Sequence, residues 1–158
     1  MQFMNDIIEN FFIRTIKQDD SQRIWEIRNH PMVRENSNGS EIIDFEKHDA
    51  WFQKKYFSGS DNHCYILEKK AGYIIGYCRY DYNSQYKAYL ISIALDPEYH
   101  GKGFGKYLLS ESLKQFNKGD IVAEIKKENM PSVKLFQKND FNIYDEDDIN
   151  YYLKFKQN

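Results

Sequence analysis

A glycine-rich stretch, His100–Lys106, is the part of the sequence best suited to chemistry. It carries glycines at alternate positions, Gly101, Gly103 and Gly105. The apolar run Leu90–Leu95 precedes it and predicts a buried strand, and apolar residues at helical spacing follow it. A glycine-rich turn that opens a helix presents backbone N–H groups at the positive end of the helix dipole. The stretch therefore predicts a receptor for a phosphate group.

Two common phosphate-binding motifs do not fit this spacing. The Walker A loop requires a Ser or Thr directly after its lysine, and neither follows a lysine here. The Rossmann fingerprint Gly-x-Gly-x-x-Gly fails as well, because the three glycines alternate and the unit is not N-terminal. A glycine-rich turn that binds no ligand is the alternative interpretation.

The order of strand, Asp96-Pro97 break, glycine-rich turn and helix resembles motif A of the GNAT N-acetyltransferases, [Gln/Arg]-x-x-Gly-x-Gly. His100 departs from it, because the family usually has Gln or Arg there. The resemblance implies that the loop holds the pyrophosphate of acetyl-coenzyme A and that the pantetheine arm pairs with the preceding strand. The coenzyme contacts implied in this way are Ile93, Ala94, Leu95, His100, Gly101, Lys102, Gly103, Phe104, Gly105 and Lys106.

A second family signature, Asn-x-x-[Ser/Ala]-x-x-Leu-Tyr-x-x-x-Gly-Phe, resembles the segment Asn129–Phe141. It implies coenzyme contacts from Asn129, Ser132 and Phe136, although Asn129 is also a good helix N-cap. Phe136 stands where many members carry a tyrosine that protonates the leaving thiolate, so that role is absent or filled elsewhere. Asp140 replaces the usual glycine, and we expect a left-handed backbone there.

Acetyl transfer to an amine requires that a proton leave the ammonium and that the thioester carbonyl be polarised. Glu124 is one candidate base, because its place before Asn129 resembles that of the glutamate of ribosomal-protein alanine acetyltransferases. An exposed strand carboxylate without a catalytic role is equally compatible with this position. A water chain through Ser92 and a tyrosine hydroxyl is another option. A backbone N–H of Ile93 or Ala94 would polarise the carbonyl.

The segment from Arg28 to Phe52 resembles GNAT enzymes that acetylate nucleotide-linked amino sugars in pseudaminic and related glycan pathways, and more loosely ribosomal-protein N-terminal acetyltransferases. Two arginines in it could grip a diphosphate or a carboxylate, and an aromatic side chain could stack on a base or sugar. Core packing is the alternative for Trp51, and both pocket and core interpretations are open for His48. The candidate substrate-binding residues are Arg28, Asn29, Arg34, His48, Trp51 and Tyr80.

The elements that must position these residues alternate between strands and helices. The patterns predict seven strands, at Phe11–Lys17, His63–Lys69, Tyr73–Tyr82, Leu90–Leu95, Ile121–Lys126, Phe141–Tyr144 and Tyr151–Lys156. Four helices are predicted: one after Asp19-Asp20-Ser21 that ends near Asn29, one from Asp44 to Tyr56, one after the glycines, and one at Asn129–Asn139. Residues 1–10 carry little pattern and are expected to be a loose extension or a short turn.

This order is also the GNAT order. The expected fold is a single α/β (α+β) domain over residues 1–158. Its sheet is mixed and mostly antiparallel, with seven strands, a splay between the fourth and fifth, and four helices on both faces. A chain of 158 residues with 41% apolar residues is long enough to bury a core.

Composition excludes several classes of protein. The net charge of −2 gives no nucleic-acid footprint, and no apolar run approaches the roughly 20 residues of a membrane span. The two cysteines have no metal spacing, so we expect no metal and a reduced compartment, the cytoplasm. No signal peptide is recognised at the start. The pattern leaves the choice between monomer and homodimer open.

Three functions follow from these observations. The first is an acetyl-CoA-dependent N-acetyltransferase acting on a primary amine of a small substrate, with a nucleotide-linked amino sugar as the first expectation. The second is a protein or peptide N-terminal acetyltransferase of the ribosomal-protein type. The third is a weakly active acyl-CoA-binding module, suggested by the departures at Phe136 and His100.

Overall fold

The computed structural model describes residues 2–156, with side chains from residue 4 onward. Residues 1, 157 and 158 of the predicted domain lie outside the described residues. The strands are β1 (Phe11–Thr15), β2 (Asn62–Lys69), β3 (Tyr73–Asn83), β4 (Ala88–Leu95), β5 (Ile121–Lys126), β6 (Phe141–Glu146) and β7 (Asn150–Phe155). The α-helices are α1 (Gln2–Asn10), α2 (Ser21–Asn29), α3 (Pro31–Glu35), α4 (Phe45–Phe57), α5 (Phe104–Gln115) and α6 (Met130–Gln137).

The seven strands form one mixed sheet in the order β1-β2-β3-β4-β5-β7-β6. The β4–β5 pair is parallel and the other neighbours are antiparallel. Pairing between β4 and β5 ends at Ile91 opposite Ala123, whereas β4 continues beside β3 as far as Leu95. The two central strands therefore separate from Ser92 onward, which confirms the predicted splayed sheet.

Helices cover both faces of the sheet, as predicted. On one face, α1, α5 and α6 bury a core that includes Leu108, Leu109 and Phe136. On the other, α2 and α4 bury a second core around Ile27 and Phe52. We call these the α5 face and the α2–α4 face. Because side chains alternate along a strand, each residue of the central strands belongs to one face or the other.

The prediction that residues 1–10 are loose is wrong for the described part of this segment. Gln2–Asn10 forms α1, and the Ile7 side chain is only 1% exposed in the α5-face core. The helix runs directly into β1, the edge strand that pairs with β2. Sequence pattern missed it because the helix presents few apolar residues to the core, and only packing against the sheet orders it.

The structure also has six α-helices within residues 2–156, not the four predicted. Besides α1, the addition is the short helix α3. Pro31 occupies its first turn, where a missing N–H costs nothing. The His30 side chain caps it, since its Nδ1 accepts a hydrogen bond from the Met32 N–H at 3.2 Å. The predicted end of the preceding helix at Asn29 is confirmed.

Candidate active site

The loop between β4 and α5 adopts a backbone that favours glycine at two of its three glycine positions. Gly101 (φ +71°) and Gly103 (φ +87°) lie in the left-handed region, and Gly103 directly precedes α5. A side chain at Gly101 would meet nothing within 4 Å, so the loop is open. The first amide groups of a helix lack carbonyl partners inside it, and the exposed Lys102 and Lys106 flank this helix start. The loop therefore fits the pyrophosphate of a coenzyme.

Gly105 has a different role from the other two glycines. A Cβ built there would lie 3.4 Å from Leu135 Cδ2 and 3.6 Å from Leu95 Cδ1. The small residue thus lets the start of α5 pack closely against α6 and the end of β4.

Side chains hold the end of β4 and the start of the loop in place. Arg23 on α2 donates to the Asp96 carboxylate at 2.5 Å. Asp96 Oδ1 also accepts the Glu98 N–H at 3.0 Å, which caps a 3-10 turn over Pro97–Tyr99. The His100 ring donates from Nε2 to the Leu95 carbonyl at 3.0 Å. The histidine that replaces the family's Gln or Arg therefore ties the loop to the strand.

Two residues predicted to contact the coenzyme have side chains in the core. Phe104 is 6% exposed and its ring packs edge-on against Phe11 at 4.7 Å, so only its backbone can face the loop. Phe136 is 2% exposed and packs edge-on against Phe141 at 4.9 Å. The side chain of Phe136 therefore packs in the core, because this face of α6 turns toward the sheet, and the predicted coenzyme contact is left to its backbone.

The start of α6 keeps the predicted geometry. Asn129 accepts a hydrogen bond from the Ser132 N–H at 3.4 Å, which confirms its interpretation as an N-cap. Ser132 is half-buried, so one side of it faces away from the core. Asp140, after the helix, has φ +70°, which confirms the expected left-handed backbone.

The splay leaves part of β4 open toward β5. Within the described residues, the stretch from Ser92 to Leu95 pairs with β3 on one side and has no β5 partner on the other. The Ile93 side chain packs on the α5-face core and that of Ala94 on the opposite core. This is the backbone edge that the family resemblance assigns to the pantetheine arm.

Strand register places the polar candidates on the α2–α4 face. Ser92 pairs with Arg79 on β3, so their side chains share a face. On β5, the neighbours of Glu124, which are Ala123 and Ile125, belong to the α5-face core. Glu124 therefore points to the same face as Ser92 and Arg79.

Glu124 has a tyrosine partner that the sequence did not reveal. The Tyr86 hydroxyl, from the β3–β4 turn, donates to Glu124 Oε1 at 2.5 Å. Burial and this bond raise the pKa of the Tyr86 hydroxyl. Tyr86 also lines an open cleft of about 250 Å³. The other lining residues are Tyr144, Asp145, Glu146, Asp147 and Tyr152.

Three cations surround the Trp51 indole on the α2–α4 face. From its ring centroid, Arg28 Cζ lies at 4.6 Å, Arg79 Cζ at 5.1 Å and Lys55 Nζ at 5.8 Å. The carboxylate beside them is Asp81, 3.6 Å from Arg79 Nε and 3.8 Å from Lys55 Nζ. We call Trp51, Arg28, Lys55 and Arg79 the Trp51 cluster. Sequence reasoning missed Arg79, because only tertiary packing brings this residue of β3 beside Trp51 on α4. It also missed Lys55, which lies four residues after Trp51 on the same helix and could have been found from helical spacing.

Arg28 is the least compensated member of the cluster. Burial and the neighbouring Arg79 lower the pKa of its guanidinium. Its side-chain partner is not a carboxylate but the ring of His48, with Arg28 Nη1 3.3 Å from His48 Nδ1. A half-buried guanidinium without a carboxylate partner is a site where an anion binds well.

His48 supports Arg28, and its burial favours the core interpretation over the pocket interpretation. The side chain is 0% exposed, and its Nε2 lies 3.0 Å from the Ser21 carbonyl. Burial and the adjacent Arg28 lower the His48 pKa to about 4, so the ring is neutral near pH 7. A neutral ring that donates from Nε2 to Ser21 has Nδ1 free to accept from Arg28.

Asn29 and Arg34 hold the loop between α3 and α4. Asn29 donates to the Ile43 carbonyl at 2.6 Å and accepts the Ile43 N–H at 3.1 Å. Arg34 donates to the carbonyls of Asn29 at 3.0 Å and Ser40 at 3.2 Å. Their hydrogen-bonding groups thus serve this loop rather than an open pocket. The direct substrate contacts predicted for them are not supported by these bonds.

The prediction that Tyr80 stacks on substrate is wrong. Tyr80 is 0% exposed on the α5 face, where its ring lies 4.2 Å from that of Phe116. Its hydroxyl lies 2.7 Å from Ser112 Oγ on α5. Neighbouring strand residues point to opposite faces, so Arg79 reaches the Trp51 cluster and Tyr80 cannot.

The described residues offer neither a metal site nor a membrane-spanning helix, and they form a second cleft. Within residues 2–156, no group of three or more His, Cys, Asp or Glu side chains is placed to hold a metal ion. None of the helices in that range is long and apolar enough to cross a membrane. A second cleft, of about 170 Å³, is lined by Lys126, Lys127, Glu128, Asp148 and Ile149.

Known proteins resemble this chain in sequence and in architecture. The acetyltransferase PseH of Campylobacter jejuni subsp. jejuni is 27% identical in serotype O:23/36 and 30% in serotype O:2, each over 146 residues that cover 90% of this chain and 89% of that protein. YncA of Salmonella typhimurium, solved with its cofactor acetyl-CoA, superposes with a TM-score of 0.76 at 21% identity, covering 93% of this chain and 94% of that one.

A spermidine N-acetyltransferase of Vibrio cholerae, solved with CoA and spermine, has a TM-score of 0.75 at 18% identity and covers 92% of this chain and 94% of its own. At such identities the structural matches show the fold. The model of the acetyltransferase (GNAT) family matches residues 21–141, more than half of the chain. Both predicted signatures and the two strands that separate, β4 and β5, lie within that range. The protein thus belongs to the GNAT family of acetyltransferases and is an acetyl-CoA-dependent N-acetyltransferase.

Proposed function

We propose that the protein acetylates the primary amine of a nucleotide-linked amino sugar. The observation that carries this proposal is the Trp51 cluster, which gathers three cations around one indole. A nucleoside diphosphate offers two phosphates to the guanidinium groups and a planar base to the aromatic ring. The cluster shares a sheet face with Ser92 and Glu124, so a sugar attached to the diphosphate would extend toward them.

Some residues of the site bind the substrate directly, and others hold those residues in place. Arg28 and Arg79 bind the phosphates, and Lys55 adds a third positive charge. With Asp81 as the carboxylate beside them, the cluster is left with a net positive charge. His48 holds Arg28 in place. Asn29 and Arg34 act indirectly, by fixing the loop that borders the site.

Acetyl transfer then requires a base and an electrophile-stabilising group. Glu124 is the proposed base, which takes a proton from the acceptor ammonium, with Ser92 as the alternative route through water. The exposed backbone edge of Ile93 and Ala94 supplies the N–H that polarises the carbonyl. Bound acetyl-CoA supplies the activated acetyl group. None of the proposed residues is assigned as the general acid, and Phe136 cannot fill that role.

The proposal extends to the compartment, the partners and the oligomeric state of the enzyme. Cys64 and Cys78 are free and buried, which agrees with a reduced, cytoplasmic compartment. We infer a small-molecule partner, without a nucleic acid or a membrane, and a protein that acts as a monomer or a homodimer.

The test is thiol release from acetyl-CoA across a panel of acceptors. The panel holds UDP-linked 4-amino sugars, the same sugars without the nucleotide, ribosomal N-terminal peptides and spermidine. The proposal expects turnover with the nucleotide sugar and a KM at least tenfold higher for the free sugar. Equal KM values for the two sugars would contradict it. Turnover with peptides alone would assign the protein to the N-terminal acetyltransferases, and coenzyme binding without turnover would indicate a binding module.

Arg28→Gln gives the matched test of the diphosphate contact. We expect a KM for the nucleotide sugar raised by at least tenfold and an unchanged KM for acetyl-CoA, because charge-assisted bonds contribute about 1.5–3 kcal/mol. Lys114→Gln serves as the control, since Lys114 is exposed and pairs only with Glu111 within its own helix. An unchanged KM in Arg28→Gln would remove this residue from the binding site.

A polyamine is the second candidate acceptor, and the cleft beside Tyr86 is the observation that favours it. The cleft carries three carboxylates, Asp145, Glu146 and Asp147, next to tyrosine rings. Such walls suit a cation rather than a diphosphate. Spermidine in the panel distinguishes this candidate from the first.

A further inference from the structure

The β3–β4 turn has a defined shape that delivers one side chain toward β5. Asn83 Oδ1 accepts the N–H groups of Gln85 at 2.9 Å and Tyr86 at 3.1 Å. Lys87, at the end of the turn, has φ +52°. This hydrogen-bonded turn fixes the direction in which the Tyr86 side chain leaves the backbone. From this turn the Tyr86 hydroxyl reaches Glu124 on β5, which is 38 residues away in sequence.

The contact that Tyr86 makes is a short one. Its hydroxyl donates to Glu124 Oε1 at 2.5 Å, in the range of hydrogen bonds to charged acceptors. The raised pKa of Tyr86 keeps its proton in place near neutral pH. Within the described residues Glu124 Oε2 accepts no hydrogen bond, so one carboxylate oxygen is held and the other is available.

The other neighbours of Glu124 are tyrosines and, beyond them, carboxylates. Tyr152 on β7 is the cross-strand neighbour of Glu124, and Tyr144 on β6 lies close enough to interact with the Glu124 charge. Asp145 lies on β6 opposite Tyr152. Among the described residues no cation lies within ion-pair distance of Glu124. The Tyr86 hydroxyl is therefore the group that stabilises and orients this carboxylate.

We propose that Tyr86 is a positioning residue for Glu124, which it holds through Oε1 so that Oε2 takes the proton of the acceptor ammonium. In that step the N–H bond of the ammonium breaks, an O–H bond forms at Oε2, and the nitrogen keeps the electron pair for attack on the acetyl carbonyl. The phenolic proton stays on Tyr86. This inference rests on the proposed function, which makes Glu124 the base.

The experiment is ¹³C NMR of the Glu124 carboxyl group at pH 7 in the full chain with Tyr86→Phe. The protein is labelled with ¹³C at the glutamate carboxyl carbons, and Glu124→Gln assigns the signal. Loss of the hydrogen bond should move the Glu124 carboxyl resonance. It should also lower kcat for the acceptor at least tenfold, with an unchanged KM for acetyl-CoA.

Tyr89→Phe is the matched control. Tyr89 also donates its hydroxyl to a carboxylate, that of Asp61, but its ring lies in the α5-face core. This variant should leave the Glu124 carboxyl resonance and kcat as they are in the wild type.

An unchanged Glu124 carboxyl resonance in Tyr86→Phe would overturn the inference whatever the enzyme's activity, because the NMR measurement needs no turnover. Failure of the proposed base gives a different result. In that case Glu124→Gln keeps the wild-type rate even though Tyr86→Phe moves the resonance, and the contact between the two residues is then structural.

Discussion

At the scale of single residues, the partner of a side chain separates function from packing. His48, Tyr80 and Phe136 are chemically suited to a site, yet each is buried and engaged within the protein. Arg28 and Glu124 have only neutral side-chain hydrogen-bond partners, His48 and Tyr86. A charged group held by a neutral partner keeps its charge available for a substrate. These two residues are therefore the ones whose substitution should change chemistry rather than stability.

Glu124→Gln should lower kcat about 100-fold between pH 6 and 8, because a general base typically contributes at least that factor. Acetyl-CoA affinity, measured by calorimetry, should not change, since no coenzyme contact is assigned to Glu124. Glu128→Gln, on an exposed residue, is the control. A wild-type rate in Glu124→Gln would leave Ser92 and water as the proton path.

His48 should make stability depend on pH. Its folded pKa of about 4 lies below the usual value for histidine, because burial and Arg28 oppose its charge. The unfolded state therefore binds a proton first, and the stabilisation is present above about pH 6.5 and is lost as the pH falls toward 4. The melting temperature should drop between pH 7 and 5, and His48→Gln should drop less. Equal drops in the two proteins would contradict this.

At the scale of elements, the β4–α5 junction combines an open strand edge with a helix start. Pairing of β4 with β5 stops at Ile91, and α5 begins at Phe104 after Gly103. Asp96, held by Arg23, fixes the angle between them. The loop is thus supported from α2, while its glycine backbone stays exposed. This arrangement presents amide groups to a phosphate without moving the core.

Gly103→Ala should reduce acetyl-CoA affinity more than its cost in stability explains. Its φ of +87° makes a side chain costly by about 1 kcal/mol, and the added methyl group stands at the start of α5. Gly72→Ala is the control, because Gly72 has a similar φ of +95° with nothing within 4 Å of an added Cβ and lies in a distant turn. Both variants should melt at similar temperatures, but only Gly103→Ala should bind weakly in calorimetry. Full affinity in Gly103→Ala would remove the loop from the coenzyme site.

At the scale of the whole molecule, one sheet separates two hydrophobic cores of different size. The α5 face holds the larger core and includes the N-terminal helix through Ile7. The α2–α4 face holds a smaller core, bordered by Trp51 and Ala94. Ser92, Arg79 and Glu124 point to this second face, whereas Tyr80 lies in the first core. The larger core and most of the proposed polar site residues therefore lie on opposite sides of the sheet.

Ile7→Ala should destabilise the protein by about 3 kcal/mol, because the side chain is 1% exposed and its removal leaves a cavity. The neighbouring Ile8 is 56% exposed, so Ile8→Ala should change the free energy of unfolding by less than about 0.5 kcal/mol. Urea denaturation measures both values. Equal, small effects would mean that α1 does not belong to the folded core.

The sequence by itself determined the strands, the glycine-rich loop before α5 and the family, because these depend on local pattern: apolar runs, proline, and glycines at fixed spacing. Asn129 and Asp140 were predictable for the same reason, since capping and left-handed turns are local. Tertiary structure alone decided which polar residues meet. Arg79 and Tyr86 join Trp51 and Glu124 only through strand register and a turn, contacts between residues far apart in sequence. Burial likewise decided against Tyr80 and Phe136, because the face of a strand or helix is set by what packs against it.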